Sequence, residues 1–459
     1  MAHKTISYGT ALSATATRTL SKDFIWGVAT SAYQIEGAAA TDGRGPSIWD
    51  TFSHTAGKTR NGDHGDTACN HYQLWPQDLD LVADLGVDAY RFSASWSRVQ
   101  ASGYGAWNAK GLDFYDRLVD GLLDRGIQPH LTLYHWDLPQ ALQDLGGWAN
   151  RDTAFHFATY AEKMGRILGD RVAGIATHNE PWCTAVLGNQ TGQFAPGFKD
   201  ETLAVQVSHH LLLSHGLALQ AMRAAGVKAP LGIVLNQSSA TPASTSPQDL
   251  ALAQTQYAGF VRWYMDPIFL GDYPRVPGLS IYPQVQAGDM AIIGAPLDFL
   301  GVNYYMRLWA SASIPPVSPP MELGASDMGW EIYPDGLRQL LTNLHRDYCL
   351  PPIYITENGM AEADRLQDGQ VNDPRRIDYV RRHLEALAQA RASGVDIRGY
   401  FYWSLLDNYE WDSGYDKRFG LVHVDYSNQQ RTLKQSGHWY RSVIEDAHAL
   451  ASAPTYEEI

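Results

Sequence analysis

A (β/α)8 barrel is the fold class this sequence predicts, and three observations predict it. From residue 24 onward, short β-rich runs alternate with segments of helical periodicity, giving eight strands, nearly all followed by a helix. Parallel neighbours need helical crossovers, so this alternation points to a parallel sheet. Polar and aromatic residues stand at the C-terminal end of strand after strand: Gln34, Arg91, His135 with Trp136, Asn179 with Glu180, Asn303, Glu357 with Asn358, and Trp403. That rim is where closed barrels gather their sites. The third observation is a missing feature. An open doubly wound sheet accepts the same alternation, but it would bring a Gly-rich strand-to-helix turn for a nucleotide. The pair Gly146-Gly147 lies within a loop and leads into no phosphate-cradling helix.

The elements follow in order. Residues 24–30 form the first β-rich run and lead into Ser31-Ala32-Tyr33-Gln34. In 76–86, Leu79, Val82 and Leu85 share a helical face and Gly86 serves as the cap. Residues 89–95 read as a strand, and 112–123 as a helix with Leu112, Tyr115, Leu118, Val119 and Leu122 on one stripe. Strand 129–135, helix 155–168, strand 172–177 and the long helix 203–222 come next. Strands 231–236 and 299–303, helix 337–344, strand 353–356, helix 379–392 and strand 399–403 complete the set. The Pro- and Ser-rich stretch 311–320 reads as a long loop over the barrel mouth, because the alternation resumes after it. Residues 1–22 read as a flexible tail, 23–450 as one catalytic barrel and 451–459 as a C-terminal tail. The N-terminal stretch is rich in Ser, Thr and Ala with Lys4, Arg18 and Lys22, a pattern shared faintly with transit peptides, but it has no apolar signal core and no Arg-Arg pair.

Composition narrows the function. The chain has 459 residues and a formal net charge of −14, which argues against broad contact with a phosphate backbone. Hydrophobic residues make up 45%, ordinary for a globular core, and no apolar run reaches the ~18 residues of a membrane span. Only Cys69, Cys183 and Cys349 occur, with neither a disulfide framework nor zinc spacing, so a cytoplasmic, reducing setting is expected. The 14 Trp and 25 Tyr offer flat apolar faces with hydrogen-bonding edges, which suit a sugar ring as well as a large core. His209, His210 and His215 stand at helical spacing without a carboxylate to complete a triad, and they read as scaffold. The acidic runs at 63–66 and 457–458 read as solvated surface, and neither a metal nor a cofactor is expected.

Two carboxylates carry the chemistry. Glu180 ends Ile-Ala-Thr-His-Asn-Glu-Pro, and Pro181 stops the strand's hydrogen-bond ladder, so the carboxylate sits where the chain turns outward. Glu357 ends Pro-Ile-Tyr-Ile-Thr-Glu-Asn-Gly, where Gly359 permits a sharp turn. Either glutamate alone reads as a loop acid or helix cap. Together, on strands four and seven beside an aromatic mouth, they suit the acid and the nucleophile of glycosidic cleavage. Retaining hydrolases set such a pair ~5–5.5 Å apart and inverting ones ~6.5–9.5 Å, a gap that sequence does not measure.

Seven motifs now accumulate in order. They are Phe-Ile-Trp-Gly-Val-Ala-Thr-Ser-Ala-Tyr-Gln-Ile-Glu-Gly (24–37), Tyr-Arg-Phe-Ser (90–93), Leu-Tyr-His-Trp-Asp-Leu-Pro (133–139) and Asn-Glu-Pro (179–181). Asn-Tyr-Tyr (303–305), Ile-Thr-Glu-Asn-Gly (355–359) and Trp-Ser-Leu-Leu-Asp-Asn-Tyr-Glu-Trp (403–411) follow. In these the chain resembles family 1 glycoside hydrolases of the β-glucosidase type, from about residue 24 to 440. The resemblance implies a retaining exo-β-glycosidase with β-fucosidase or β-galactosidase tolerance, acting on small β-glucosides or cello-oligosaccharides, as in cellulose breakdown. It leaves room for a homo-oligomer. By resemblance, Glu180 is the acid/base and Glu357 the nucleophile. Gln34, His135, Asn179, Tyr305, Trp403, Glu410 and Trp411 bind the sugar, and Arg91, Asn303 and Phe419 support the site. Arg91 and Tyr305 are expected to lower the pKa of Glu357, and negative Glu357 to raise that of Glu180 until the glycosyl-enzyme neutralises it.

Departures from relatives sharpen this reading. Plant thioglucosidases of the family carry glutamine where Glu180 stands, so an O-glycosidase with its own acid is expected. Glu410 would repel the phosphate of a phospho-sugar. His178 occupies a position commonly apolar in the family, and strand alternation turns it towards the helices as a structural group. Asp412 replaces a small residue near the leaving-group side, and Asn70 an aspartate. Lys417 and Arg418 read as loop charges near the rim. Aglycone choice is assigned to the loops near 188–199, 305–330 and 412–416. A transglycosylase using the same intermediate, a sugar-binding barrel without turnover and a metal-dependent hydrolase are the competing readings.

Overall fold

The computed structural model describes residues 11–452. Its strands β1 (Ile25–Ala29), β2 (Ala89–Ser93), β3 (Gln128–Tyr134), β4 (Gly174–Asn179), β5 (Leu231–Asn236), β6 (Phe299–Asn303), β7 (Ile353–Asn358) and β8 (Ile397–Trp403) form the ring. They pair in parallel in chain order, and β8 closes on β1, where Ala29 meets both Trp403 and Arg91. The expected (β/α)8 barrel is the fold.

Among its helices are α1 (Ala14–Thr19), α2 (His71–Asp84), α3 (Ala109–Leu123), α4 (Asp152–Leu168), α5 (Glu201–Ala224), α6 (Pro247–Tyr257), α7 (Pro334–Asp347), α8 (Pro374–Ala392) and α9 (Gln435–Ala451). Their amphipathic spacing places them. In α3, Phe114, Tyr115, Leu118, Val119 and Leu122 are buried, while Asp113 and Asp120 face water. Start signals are chemical as well. Asp200 accepts from Leu203 N at 3.0 Å to cap α5, and Ser246 accepts from Asp249 N at 3.1 Å, with Pro247 opening α6.

Several boundaries differ from expectation. Helix α2 begins at His71, so Pro76 lies inside it rather than at its start. Strand four is shifted to Gly174–Asn179, and strand seven runs to Asn358, which carries Glu357 within the strand. The described part of the 1–22 stretch holds α1, with Ala16 and Leu20 buried and Ser13 donating from N and Oγ to the Glu385 carboxylate of α8 at 2.7 and 2.8 Å. Residues 1–10 and 453–459 of the two expected tails lie outside the described residues. Stretch 311–320 is a loop, and its Ala312 N donates to Asp249 of α6 at 2.7 Å. Among the described residues no helix is long and apolar enough to cross a membrane.

The barrel's register breaks where it matters. Shifts fall between Ala176 and Asn179 on the β4/β5 edge, Val302 and Asn303 on β6/β7, and Tyr400 and Tyr402 on β7/β8. An extra residue in a strand re-aims the side chains beyond it. On β4, Thr177 and His178 both meet helix α5, through His215 Nδ1 at 2.7 Å and Ser214 Oγ at 2.8 Å, so that Asn179 is returned to the interior.

Candidate active site

A cavity of about 570 Å³ opens at the C-terminal rim of the barrel. Glu180 and Glu357 both line it, as do His135, Asn303, Tyr305, Trp403, Glu410, Trp411 and Phe419. Gln34, Arg91 and Asn179 stand one layer deeper, off the cavity wall. Each reaches it through a polar contact. Arg91 donates to Glu357 Oε1 at 2.7 Å, Asn179 Nδ2 meets His135 Nε2 at 3.0 Å, and Gln34 Nε2 approaches Glu410 Oε2 at 3.5 Å.

The two glutamates have different surroundings. Glu357 receives the charged Arg91 guanidinium on one oxygen and the Tyr305 hydroxyl on the other, at 2.7 Å each. Glu180 receives only neutral donors: the Asn303 amide at 2.6 Å and the Cys183 thiol at 3.0 Å. A charged donor stabilises a carboxylate about twice as strongly as a neutral one. Arg91 Nη2 and Asn303 Nδ2 both donate to Asn179 Oδ1, at 2.8 and 3.0 Å, so one side chain sets the spacing between the two supports. Asn303 is oriented in turn by Thr356 Oγ1, which donates to its Oδ1 at 2.7 Å.

Burial pushes Glu180 up to about 7, and the negative charge of Glu357 adds to the rise. Glu357 departs from expectation. Burial raises its pKa as well, and the opposing pull of Arg91 and Tyr305 limits that rise without reversing it. Glu410 is pushed up to about 8 by burial, with Asp412, Glu357 and Glu180 adding to the effect.

Three strained backbone positions lie at the cavity. Glu180 (φ 47°), Trp136 (φ 78°) and Trp411 (φ 48°) adopt left-handed conformations rare for residues with a Cβ. Each costs on the order of 1–3 kcal/mol, held in place by its surroundings. Trp136 is pinned by its Nε1, which donates to Asn179 O at 2.8 Å, and by Trp411, whose ring lies 4.5 Å away.

The outer cavity is built from all three expected loops: Gln193 and Phe194, then Tyr305, Met306, Leu308, Asp327, Met328 and Trp330, then Asp412 and Ser413. No residue of 311–320 lines it. Asp412 accepts from Gln193 Nε2 at 3.0 Å, and Lys417 donates to Asp327 Oδ2 at 3.0 Å, so Lys417 is a paired group of the cleft wall. His178 is buried against Phe157 at 4.5 Å, away from the cleft. His209 and His210 are likewise held in the scaffold, by Asp289 Oδ2 at 2.9 Å and the Trp148 carbonyl at 2.8 Å.

Sequence reasoning placed Trp136 at the rim but gave no site role to Trp136, Cys183 or Gln237. The signal for Cys183 was its spacing: a helical turn after Pro181 brings position i+3 back onto Glu180. Gln237 lines the cavity, and both polar atoms of its buried amide lack a partner among the described residues.

Known proteins match this arrangement. The model of glycosyl hydrolase family 1 matches residues 16–449. Beta-glucosidase A of Acetivibrio thermocellus is 45% identical over 93% of this chain and 98% of its own. A bifunctional beta-D-glucosidase/beta-D-fucosidase of Bifidobacterium breve is also 45% identical, with the same two coverages. The Thermotoga maritima beta-glucosidase in complex with glucoimidazole superposes with a TM-score of 0.91 at 44% identity, covering 94% of this chain and 99% of that one. With the match spanning the whole barrel, the chain belongs to glycosyl hydrolase family 1 and is a glycoside hydrolase of the retaining class characteristic of that family.

Proposed function

We propose that this protein is an exo-β-glucosidase that also accepts β-fucosides, with Glu357 as nucleophile and Glu180 as acid/base. The observation that carries the reading is the unequal support of two carboxylates in one cavity: a guanidinium and a phenol on Glu357, an amide and a thiol on Glu180. An Oε of Glu357 attacks the anomeric carbon, the glycosidic C–O bond breaks, and protonated Glu180 gives its proton to the departing oxygen. The resulting ester removes the charge of Glu357, so Glu180 becomes more acidic at the moment it must serve as base. It then takes a proton from water, which attacks the anomeric carbon and frees Glu357.

Glu410 and His135 offer acceptors and donors to the sugar hydroxyls, with Gln34 behind Glu410, and Trp403 offers a ring face. The raised pKa of Glu410 suits a group that holds hydroxyls by donating as well as accepting. The expected substrates are small β-glucosides or cello-oligosaccharides, whose leaving group meets the outer loops. Names of relatives support glucose and fucose as the glycone.

A 2-fluoro glucoside inactivator should label Glu357 alone, as read by peptide mass spectrometry. Glu357→Gln should lose on the order of 10⁴-fold or more in kcat. Glu180→Gln should lose about 10²–10⁴-fold on alkyl glucosides and far less on aryl glucosides with acidic phenols. Label on another residue, or equal losses on both substrate types, would overturn the roles.

A further inference from the structure

Between the helix Ile48–Ser53 and α2, a surface loop brings His54, His64 and Asp66 together. One ligand-type atom from each lies within 4.8 Å of the others. His54 Nε2 is 3.2 Å from Asp66 Oδ2, His64 Nδ1 is 3.4 Å from Asp66 Oδ1, and the two imidazole rings stack at 4.6 Å. Donor atoms of a tetrahedral site with 2.0–2.1 Å bonds stand about 3.3–3.4 Å apart, so the three groups are close enough to share an ion once the two exposed, stacked rings turn towards it.

The far side of His54 is the second, independent observation. Its Nδ1 lies 2.7 Å from the backbone carbonyl of Asp50. A carbonyl oxygen only accepts, so Nδ1 carries the hydrogen and the neutral ring presents its lone pair at Nε2. In the protonated ring Nε2–H donates to the Asp66 carboxylate at 3.2 Å; when that proton is displaced, the lone pair and the carboxylate face the same gap and a cation takes the proton's place. A ring N–H tied to a backbone carbonyl, which fixes the tautomer and leaves the other nitrogen for the ion, is the usual outer support of a histidine metal ligand.

We propose that His54 Nε2, His64 Nδ1 and a carboxylate oxygen of Asp66 bind one divalent transition-metal ion of the zinc type, with water completing its coordination. Two imidazoles and one carboxylate are the donor set such ions prefer over calcium or magnesium. None of the three residues lines the catalytic cavity, so the ion is structural with respect to the reaction.

Its position links it to the cleft wall. Tyr415 Oη donates to His64 O at 2.8 Å, Tyr415 N to Asp63 Oδ2 at 3.1 Å, and Tyr409 Oη to Asp63 O at 3.2 Å. These bonds brace the 409–415 segment that presents Glu410, Trp411 and Asp412 to the cavity. An ion joining the two ends of the 54–66 loop therefore holds down the support of that wall, and it stabilises the folded state by mass action.

Titration of EDTA-treated full-length protein with ZnCl2 alone, followed by calorimetry in a non-chelating buffer, should give one site per chain and a melting temperature that climbs with zinc. Asp66→Asn should weaken binding by about 10-fold or more, and the double variant His54→Ala/His64→Ala should abolish it. All three side chains are half-exposed, so the variants should match the parent in EDTA in melting temperature and in aryl glucoside turnover. Titration with CoCl2 should produce visible d–d absorption that the double variant lacks. Zinc bound equally well by the double variant, or no binding at millimolar zinc, would overturn the site.

Discussion

Where α8, α9 and the 404–420 loop meet, Asp364, Asp373 and Asp407 are buried against Arg376, Lys434 and Arg418, three acids to three bases. Arg376 contacts Asp364 at 2.7 Å and also pairs with Asp373, Lys434 contacts Asp364 and Asp407 at 2.5 and 2.6 Å, and Arg418 contacts Asp407 at 2.7 Å. In the cleft, by contrast, Glu180, Glu357 and Glu410 are buried beside Asp412 with one buried guanidinium, Arg91, while Lys417 is engaged by Asp327. Burial acts alike on Asp407 and on the cleft glutamates, but the outcomes are opposite. It pushes Asp407 up, yet Lys434 and Arg418 outweigh it and hold the carboxyl below its ordinary value. In the cleft the opposing hydrogen bonds and the single guanidinium fall short of balancing burial, and Glu180 is pushed up to about 7 and Glu410 to about 8. Charge compensation, not depth, separates a structural carboxylate from one poised to exchange protons.

The sharpest way to break this contrast is to remove one base from the balanced cluster. Lys434→Met leaves Asp364 and Asp407 each short of a partner and should cost about 3–5 kcal/mol, the usual penalty for orphaning a buried charge. Urea unfolding should show a lower midpoint at unchanged slope. Folded protein should keep its KM for an aryl glucoside, since none of the six residues lines the cavity. An unchanged midpoint would mean that the cluster's charges are solvated rather than mutually held.

A smaller effect of opposite sign is expected in the cleft. The folded-state pKa of Glu410, about 8, lies above the 4.5 of an ordinary glutamate. The folded state therefore binds the proton more tightly than the unfolded chain does. Its contribution to stability is intact below about pH 4.5 and is lost as pH rises through about 8. Glu410→Gln should flatten that decline, on the order of 2 kcal/mol, because Glu180 and Asp412 share the titration. The same variant should raise KM and lower kcat through the lost sugar contact. Parallel stability–pH curves for parent and variant would remove Glu410 from the cause.

What could be read in the chain follows the same division. The glutamates were legible because each ends a β-rich run at a residue, Pro181 or Gly359, that forces the backbone to turn. The closed barrel was legible from alternation and from the polar strand ends. The register shifts that return Asn179 to the interior were not, because a strand buried on both faces shows no alternation for a bulge to break. Lys434 illustrates a second limit. It is a single lysine at a helix start, and only the meeting of three distant segments makes it a buried counter-ion. Of the His54, His64 and Asp66 group only the acidic run 63–66 entered the sequence reading, as solvated surface, and the chain folds back to bring His54 beside it. The net direction for Glu357 also escaped, because its named partners can be read from motifs whereas its burial cannot.

The finest adjustment in the cleft rests on Cys183. Its thiol donates to Glu180 Oε2 at 3.0 Å, and that bond favours the ionised acid, opposing the rise that burial and Glu357 impose. Cys183→Ala removes the donor, so Glu180 should hold its proton to higher pH. Glu180 donates in glycosylation, and activity is lost above its pKa, so the basic limb of kcat/KM should move upward. A neutral hydrogen bond of about 0.5–1.5 kcal/mol corresponds to roughly half to one pH unit. Cys183→Ser keeps a donor at the same place and should leave the limb near that of the parent, which separates the bond from the bulk of the side chain. If alanine and serine move the limb equally, the packing of Cys183 rather than its hydrogen governs the acid. If neither moves it, the thiol has no part in setting the proton affinity of Glu180, which is then left to burial, Glu357, Asn303 and Arg91.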